Sequence, residues 1–245
     1  MKTIPSLAAT LDAYLAGLRS SLGDSVLGVY VTGSVATGAF EPASSDIDAF
    51  VVLRDRPNLD LLSKLRRLHA AMKSTAYGAR LEIEYVAAEQ LQPAGIRGEC
   101  ISVSPGGEPQ FGASHTAADD ILGARTLGTA LVGPPPETFF PEVDRSTFVA
   151  SQRAWLADLC ERDRAKAAPS ASDYVEWTLN IARCAFGIHH GSGCSKPKAA
   201  AWLAERDPEL APLLDKALRL RRGDTETPIA SNDFRGFAAV ACTLG

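Results

Sequence analysis

An α/β domain built on a small mixed sheet, followed by an all-α helical bundle, is the architecture this sequence predicts. Three observations point to it. Apolar runs of strand length alternate with amphipathic helical stretches through the N-terminal half. The run Gly133-Pro134-Pro135-Pro136 then interrupts the chain. Beyond it, apolar residues recur only at helical spacing. The boundary is placed within 140–145, giving an N-terminal domain of residues 1–143 and a helical domain of residues 144–245.

Taken in order, residues 6–22 form a helix with Leu7, Leu11, Leu15 and Leu18 at helical spacing, stopped by Gly23. A strand over 25–32 follows, then Gly33-Ser34 and a short helical turn over 35–38. Residues 47–53 are almost wholly apolar, as a strand buried on both faces requires. Residues 59–72 place Leu61, Leu62, Leu65 and Leu68 among Lys64, Arg66 and Arg67, the pattern of a surface helix lying on a sheet. In the strand over 80–86, Leu81, Ile83 and Tyr85 share one face and Glu82 and Glu84 the other. Residues 87–112 read as loop, and 119–130 as a helix. In the helical domain the expected helices are 146–166, 172–189 with Ser172 as N-cap, 196–206 with Ser195 as N-cap, 209–221 and 232–242.

Composition narrows the function. The formal net charge is −4, and no basic block or aromatic-interleaved basic stripe is present, which disfavours nucleic acid as a partner. No apolar run approaches the roughly 18 residues of a membrane span. The opening residues read as an amphipathic helix, not a signal peptide. The five cysteines are an odd number, widely spread and without Cys-x-x-Cys. A reduced, cytoplasmic protein is expected.

The stretch 29–53, VYVTGSVATGAFEPASSDIDAFVVL, carries the chemistry. Side chains two apart on a strand project to one face, so Asp46 and Asp48 would present two carboxylates together. That donor set suits Mg²⁺, a hard cation commonly held by one or two carboxylates plus substrate phosphates. Gly33 lets backbone approach such phosphates, and Ser34 adds a hydroxyl. Ser45, which opens the Ser-Asp-x-Asp run, joins them as a candidate nucleotide contact. Activating an incoming hydroxyl calls for a third carboxylate, and Glu82 and Glu84 are both candidates. Lys196 and Lys198 stand at a helix start, where cations are mildly unfavourable unless a polyanion is near. His189 and His190 fit helix C-terminal capping better than a metal site, because adjacent histidines point apart. Trp155, Trp177 and Trp202 fall on apolar helix faces.

Gly-Ser followed by Asp-x-Asp resembles the nucleotidyltransferase superfamily signature. The segments LEIEYV, LVGPPPETFFPEV, DYVEWTLNIARC and SKPKAAAWLAERDP resemble the aminoglycoside 3″/9 adenylyltransferase family, in the same order. That resemblance implies a two-domain enzyme using Mg²⁺ to transfer AMP from ATP to a hydroxyl of streptomycin or spectinomycin. It makes Gly33 and Ser34 the phosphate-binding pair, Asp46 and Asp48 the metal ligands, Glu82 the catalytic glutamate and Lys196 a nucleotide ligand. The chain departs from the family at Ala113, Ser114 and His115, where members carry a tryptophan after Gln-Phe-Gly. It departs again at Ala167 and Ala171, where some carry acids. A cationic small-molecule acceptor is therefore expected, with spectinomycin ahead of streptomycin. The other reading is a regulatory protein of this fold that binds or modifies a protein partner.

Overall fold

The structure is a computed structural model that describes residues 4–165, 169–224 and 227–241, the side chains of 160–165 excepted. Contacts divide the chain into two compact units, Met1–Phe40 with Ser45–Val143, and Glu41–Ser44 with Asp144–Gly245. The short piece Glu41–Ser44 thus groups with the second unit.

The first unit runs α1 (Pro5–Leu22), β1 (Val26–Val31), α2 (Gly33–Ala36), β2 (Ile47–Leu53), α3 (Leu59–Met72) and β3 (Leu81–Ala87). It continues through a two-strand ladder of β4 (Leu91–Gln92) and β5 (Gly95–Ile96) to β6 (Glu99–Val103), β7 (Gln110–Ala113), α4 (Ala118–Leu127) and β8 (Thr129–Val132). Six strands make one mixed sheet in the order β7-β6-β3-β2-β1-β8, in which β2 and β3 alone are parallel neighbours.

Alternation along the strands sorts the sheet into two faces. Val29, Val31, Ala49, Val51, Ile83 and Tyr85 meet Tyr14 and Leu18 of α1 and Leu62, Leu65 and Leu68 of α3. On α1 the fully buried positions are Thr10, Tyr14 and Leu18, while Leu7, Leu11 and Leu15 are only partly covered. Asn58 starts α3 by accepting the Leu61 amide at 2.9 Å. On the opposite face Tyr30, Phe50, Val52 and Val86 pack on Ile121 and Ala124 of α4 and on Phe140. Removing a fully buried Leu65 would cost about 2–5 kcal/mol.

A polar chain runs through the first core. Tyr14 and Tyr85 hydroxyls are 2.7 Å apart, and His69 Nε2 lies 2.7 Å from the Tyr85 hydroxyl. Each of the three is buried, so each needs its partner.

The second unit is helical: α5 (Arg145–Ala165), α6 (Ala171–His190), α7 (Lys196–Arg206), α8 (Ala211–Arg221) and α9 (Ser231–Ala241). Its core gathers Tyr174, Trp177, Leu179, Ile181, Phe186, Leu203, Leu214, Phe234 and Phe237, with Trp155 and Trp202 packed against it.

Several expectations need correction. Residues 87–112 are not loop, for they hold β6 and most of β7; ECISV is short and bounded by glycine-rich turns, which hid it. The helix expected over 119–130 ends at Leu127, and its last residues turn into β8. Gly33-Ser34 opens α2 and does not precede it. Ser170, not Ser172, caps α6, accepting the Asp173 amide at 3.2 Å. Ser195 stands at the N-cap position of α7 without a side-chain cap bond. At the end of α6, Arg145 donates to the carbonyls of Ile188 and His189 at 3.3 and 2.7 Å, so a guanidinium serves where an imidazole was expected. His189 and His190 instead pack on Trp202, with ring centroids 5.4 and 5.5 Å away. Cys100, Cys184 and Cys194 are buried thiols. Lys166, Ala167 and Cys242 lie outside the described residues, as does the side chain of Cys160. Among the described residues no helix is long and apolar enough to cross a membrane.

Candidate active site

The same alternation that buries Val51 and Tyr85 turns Asp48, Glu82 and Glu84 to the α4 face of the sheet. Parallel pairing of β2 with β3 sets Asp48 directly beside Glu82, and Phe50 beside Glu84. The three carboxylates line a cleft of about 170 Å³ with Thr32, Ala49, Phe50, His115, Thr116 and Asp120. Asp120 comes from the first turn of α4, where it accepts the Ala117 amide at 2.9 Å.

Charge is concentrated here. Loss of water, and then the negative charges of Asp48, Asp46, Asp120 and Glu84, push the Glu82 carboxyl up to about 7. Burial also raises Glu84, but there the Ser102 hydroxyl at 2.8 Å and the Cys100 thiol at 3.1 Å oppose the shift, helped by Ser114 and His115. Two neighbouring glutamates therefore differ. Glu82 stands among other acids in the cleft, whereas Glu84 is tied to the β6 strand.

Asp46 precedes β2 and is not on it. It does not line the cleft, yet its charge reaches Glu82. Ser45 is buried, and its carbonyl accepts from Arg80 at 3.4 Å. Gly33 is exposed and adopts a φ of 54°, and Ser34 beside it is half-buried. Among the described residues no three His, Cys, Asp or Glu side chains gather into a protein-only metal cage. Two aspartates together with a phosphate-bearing substrate are usual donors for Mg²⁺, and an acid whose pKa is raised by neighbouring carboxylates, as that of Glu82 is, is relieved by a cation. The residues present fit that ion.

Lys196 belongs to the helical unit. Its ammonium is ion-paired with Glu176 of α6, and its side chain is 18% exposed. Burial lowers its pKa, and the pairing with Glu176 works against that shift. Thr32, Thr116 and Asp120 were not singled out by sequence, and His115 was marked only as a departure from the family. Only Asp120, the third residue of α4, carried a signal, that of a first-turn capping acid.

Residues 14–94 match the family model described as "Nucleotidyltransferase domain", and residues 138–242 match "Aminoglycoside adenylyltransferase, C-terminal domain". No curated protein matches. A crystal structure of spectinomycin adenyltransferase AAD(9) from Enterococcus faecialis with ATP and spectinomycin superposes with a TM-score of 0.76 at 15% identity, covering 97% of this chain and 98% of that one. At that identity the likeness speaks to fold alone. A toxin-antitoxin structure with AMP-PNP covers 62% of this chain at 16% identity, with a TM-score of 0.32 that is too low to bear on the fold. The two family models lie in series along one chain, so the protein is a nucleotidyltransferase enzyme that joins a nucleotidyltransferase domain to a C-terminal domain of the aminoglycoside adenylyltransferase kind.

Proposed function

We propose that the enzyme moves AMP from ATP onto a hydroxyl of a cationic aminocyclitol or aminoglycoside antibiotic, with Mg²⁺ held by Asp46 and Asp48. The observation that carries this reading is the pairing of Asp48 with Glu82 in an acidic cleft, in a chain that also matches the aminoglycoside adenylyltransferase C-terminal domain.

Bound with the triphosphate, Mg²⁺ would stabilise the charge that develops on the phosphoryl group. Gly33, Ser34 and Ser45 would hold the phosphates, and Lys196 is a further candidate ligand of the nucleotide. Glu82 takes the proton of the acceptor hydroxyl as its oxygen bonds the α-phosphorus and the bond to pyrophosphate breaks. A carboxylate whose burial and acidic neighbours favour taking up a proton suits that role. Asp48, Glu84 and Asp120 make the cleft attractive to an ammonium-bearing acceptor, an attraction that salt weakens.

Ala113, Ser114, His115 and Ala171 offer neither the aromatic face nor the added acid expected of a streptomycin site, which favours the smaller spectinomycin. Expression in a sensitive bacterium tests this. The inhibitory concentration of spectinomycin should rise more than that of streptomycin. Unchanged sensitivity to both would remove the antibiotic as acceptor.

A further inference from the structure

Glu84 lines the cleft beside Glu82, yet among the described residues no lysine or arginine is ion-paired with it. The charge of His115 reaches it, and neutral groups hold it. Strand β6 sets Ser102 directly opposite Glu84. The Ser102 hydroxyl and the Cys100 thiol both donate to its Oε2, at 2.8 and 3.1 Å. These donors fix the direction of the carboxylate and leave its negative charge in place. A half-buried charge of this kind is costly until a counter-ion comes to it.

The Mg²⁺ proposed for Asp46 and Asp48 does not supply that counter-ion. The register that sets Asp48 beside Glu82 sets Phe50 beside Glu84, one same-face step and roughly 7 Å further along the sheet. An ion held at about 2 Å by aspartates and phosphates leaves Glu84 uncovered.

We infer that Glu84 anchors an alkylammonium group of the acceptor, one strand step from the glutamate that takes the proton of the acceptor's hydroxyl. This rests on the reading of the acceptor as an aminocyclitol or aminoglycoside given above. The spacing sets the acceptor's chemistry: Glu82 and Glu84 stand roughly 7 Å apart along β3, so hydroxyl and ammonium must lie on one ring or on two joined rings. Ammonium is favoured over guanidinium for a geometric reason. An ionised carboxylate oxygen has about two lone-pair sites, and Ser102 and Cys100 engage Oε2 together. A guanidinium fork needs both oxygens at once, whereas an ammonium needs only the other one. Glu84 is thus a specificity-determining residue and takes no part in proton transfer.

Isothermal titration of the full chain, with Mg²⁺ and a non-hydrolysable ATP analogue present, tests the anchor. The two probes are spectinomycin and a neutral analogue in which hydroxyls replace its methylamino groups. Wild type should bind spectinomycin about tenfold tighter or more. Glu84→Gln should cut that preference by about fivefold or more, through weaker binding of spectinomycin. In steady-state kinetics the same variant should raise the KM for spectinomycin by about tenfold and change kcat mildly, by less than about threefold. An unchanged preference, or a loss confined to kcat, overturns the anchor. If Glu84→Gln does not fold by circular dichroism, Glu84→Thr, suited to a strand, is read in the same way. If the wild type binds neither spectinomycin nor streptomycin, the reading of the acceptor fails and the anchor with it. If it binds spectinomycin and Glu84→Gln binds it equally well, the anchor alone fails.

Discussion

A side chain at Gly33 would run into the carboxylate of Asp48. The two are also joined through backbone, since the Thr32 amide donates to the Asp48 carbonyl at 2.9 Å. Gly33 has a φ of 54° as well, in the left-handed region that disfavours side chains. Glycine there serves the carboxylate next to it as much as any phosphate.

Gly33→Ala should therefore cost more than backbone strain. Strain alone amounts to about 1–2 kcal/mol, and Gly38→Ala supplies that reference, because φ is 70° there and the space is open. Both variants should melt lower, but only Gly33→Ala should lose transfer activity by about a hundredfold, through a displaced Asp48. Equal activity in the two variants would show that the close approach is irrelevant to catalysis.

The strand glutamates should prove unequal. Glu82→Gln is expected to lower kcat by about a hundred- to ten-thousandfold while leaving ATP binding near wild type. Glu84→Gln should be mild, since its carboxylate is already engaged by Ser102 and Cys100. Steady-state kinetics on both variants decide it, and a more damaging Glu84→Gln would reverse the assignment of the base.

What the sequence made legible follows from how local each signal was. The strand 47–53 and the helix Leu59–Met72 were readable because their apolar periods are long and unbroken. Opposite faces for Glu82 and Tyr85 followed from simple alternation. Strands β6 and β7 were not readable, because each is short and stabilised by pairing with residues far along the chain. Glu176 as the partner of Lys196 was equally hidden, since twenty residues and a helix turn separate them. His69 had no spacing to mark it, as its role arises only where α1, α3 and β3 meet.

His69 gives the fold a pH dependence. Burial first, and Lys73 second, pull its pKa down to about 4. Between that value and about 6.5 the unfolded chain binds a proton that the folded chain refuses. Stability should be full above about pH 6.5 and fall as pH drops toward 4, by roughly 3 kcal/mol at most from this group. Urea melts from pH 7 to 4.5 measure the slope, and His69→Gln should flatten it. An unchanged slope in that variant would assign the acid sensitivity elsewhere.

Carboxylates gathered around β2 and β3 are proposed to drive AMP transfer to a cationic antibiotic. The direct measurement incubates the purified enzyme with Mg²⁺, ATP radiolabelled at the α-phosphate, and spectinomycin or streptomycin. Wild type should label spectinomycin faster than streptomycin. Asp46→Asn and Asp48→Asn should keep a native circular dichroism spectrum and lose transfer by roughly a thousandfold or more. Failure of the wild type to label either antibiotic would contradict the account, as would an Asp48→Asn enzyme retaining more than about a tenth of the wild-type rate.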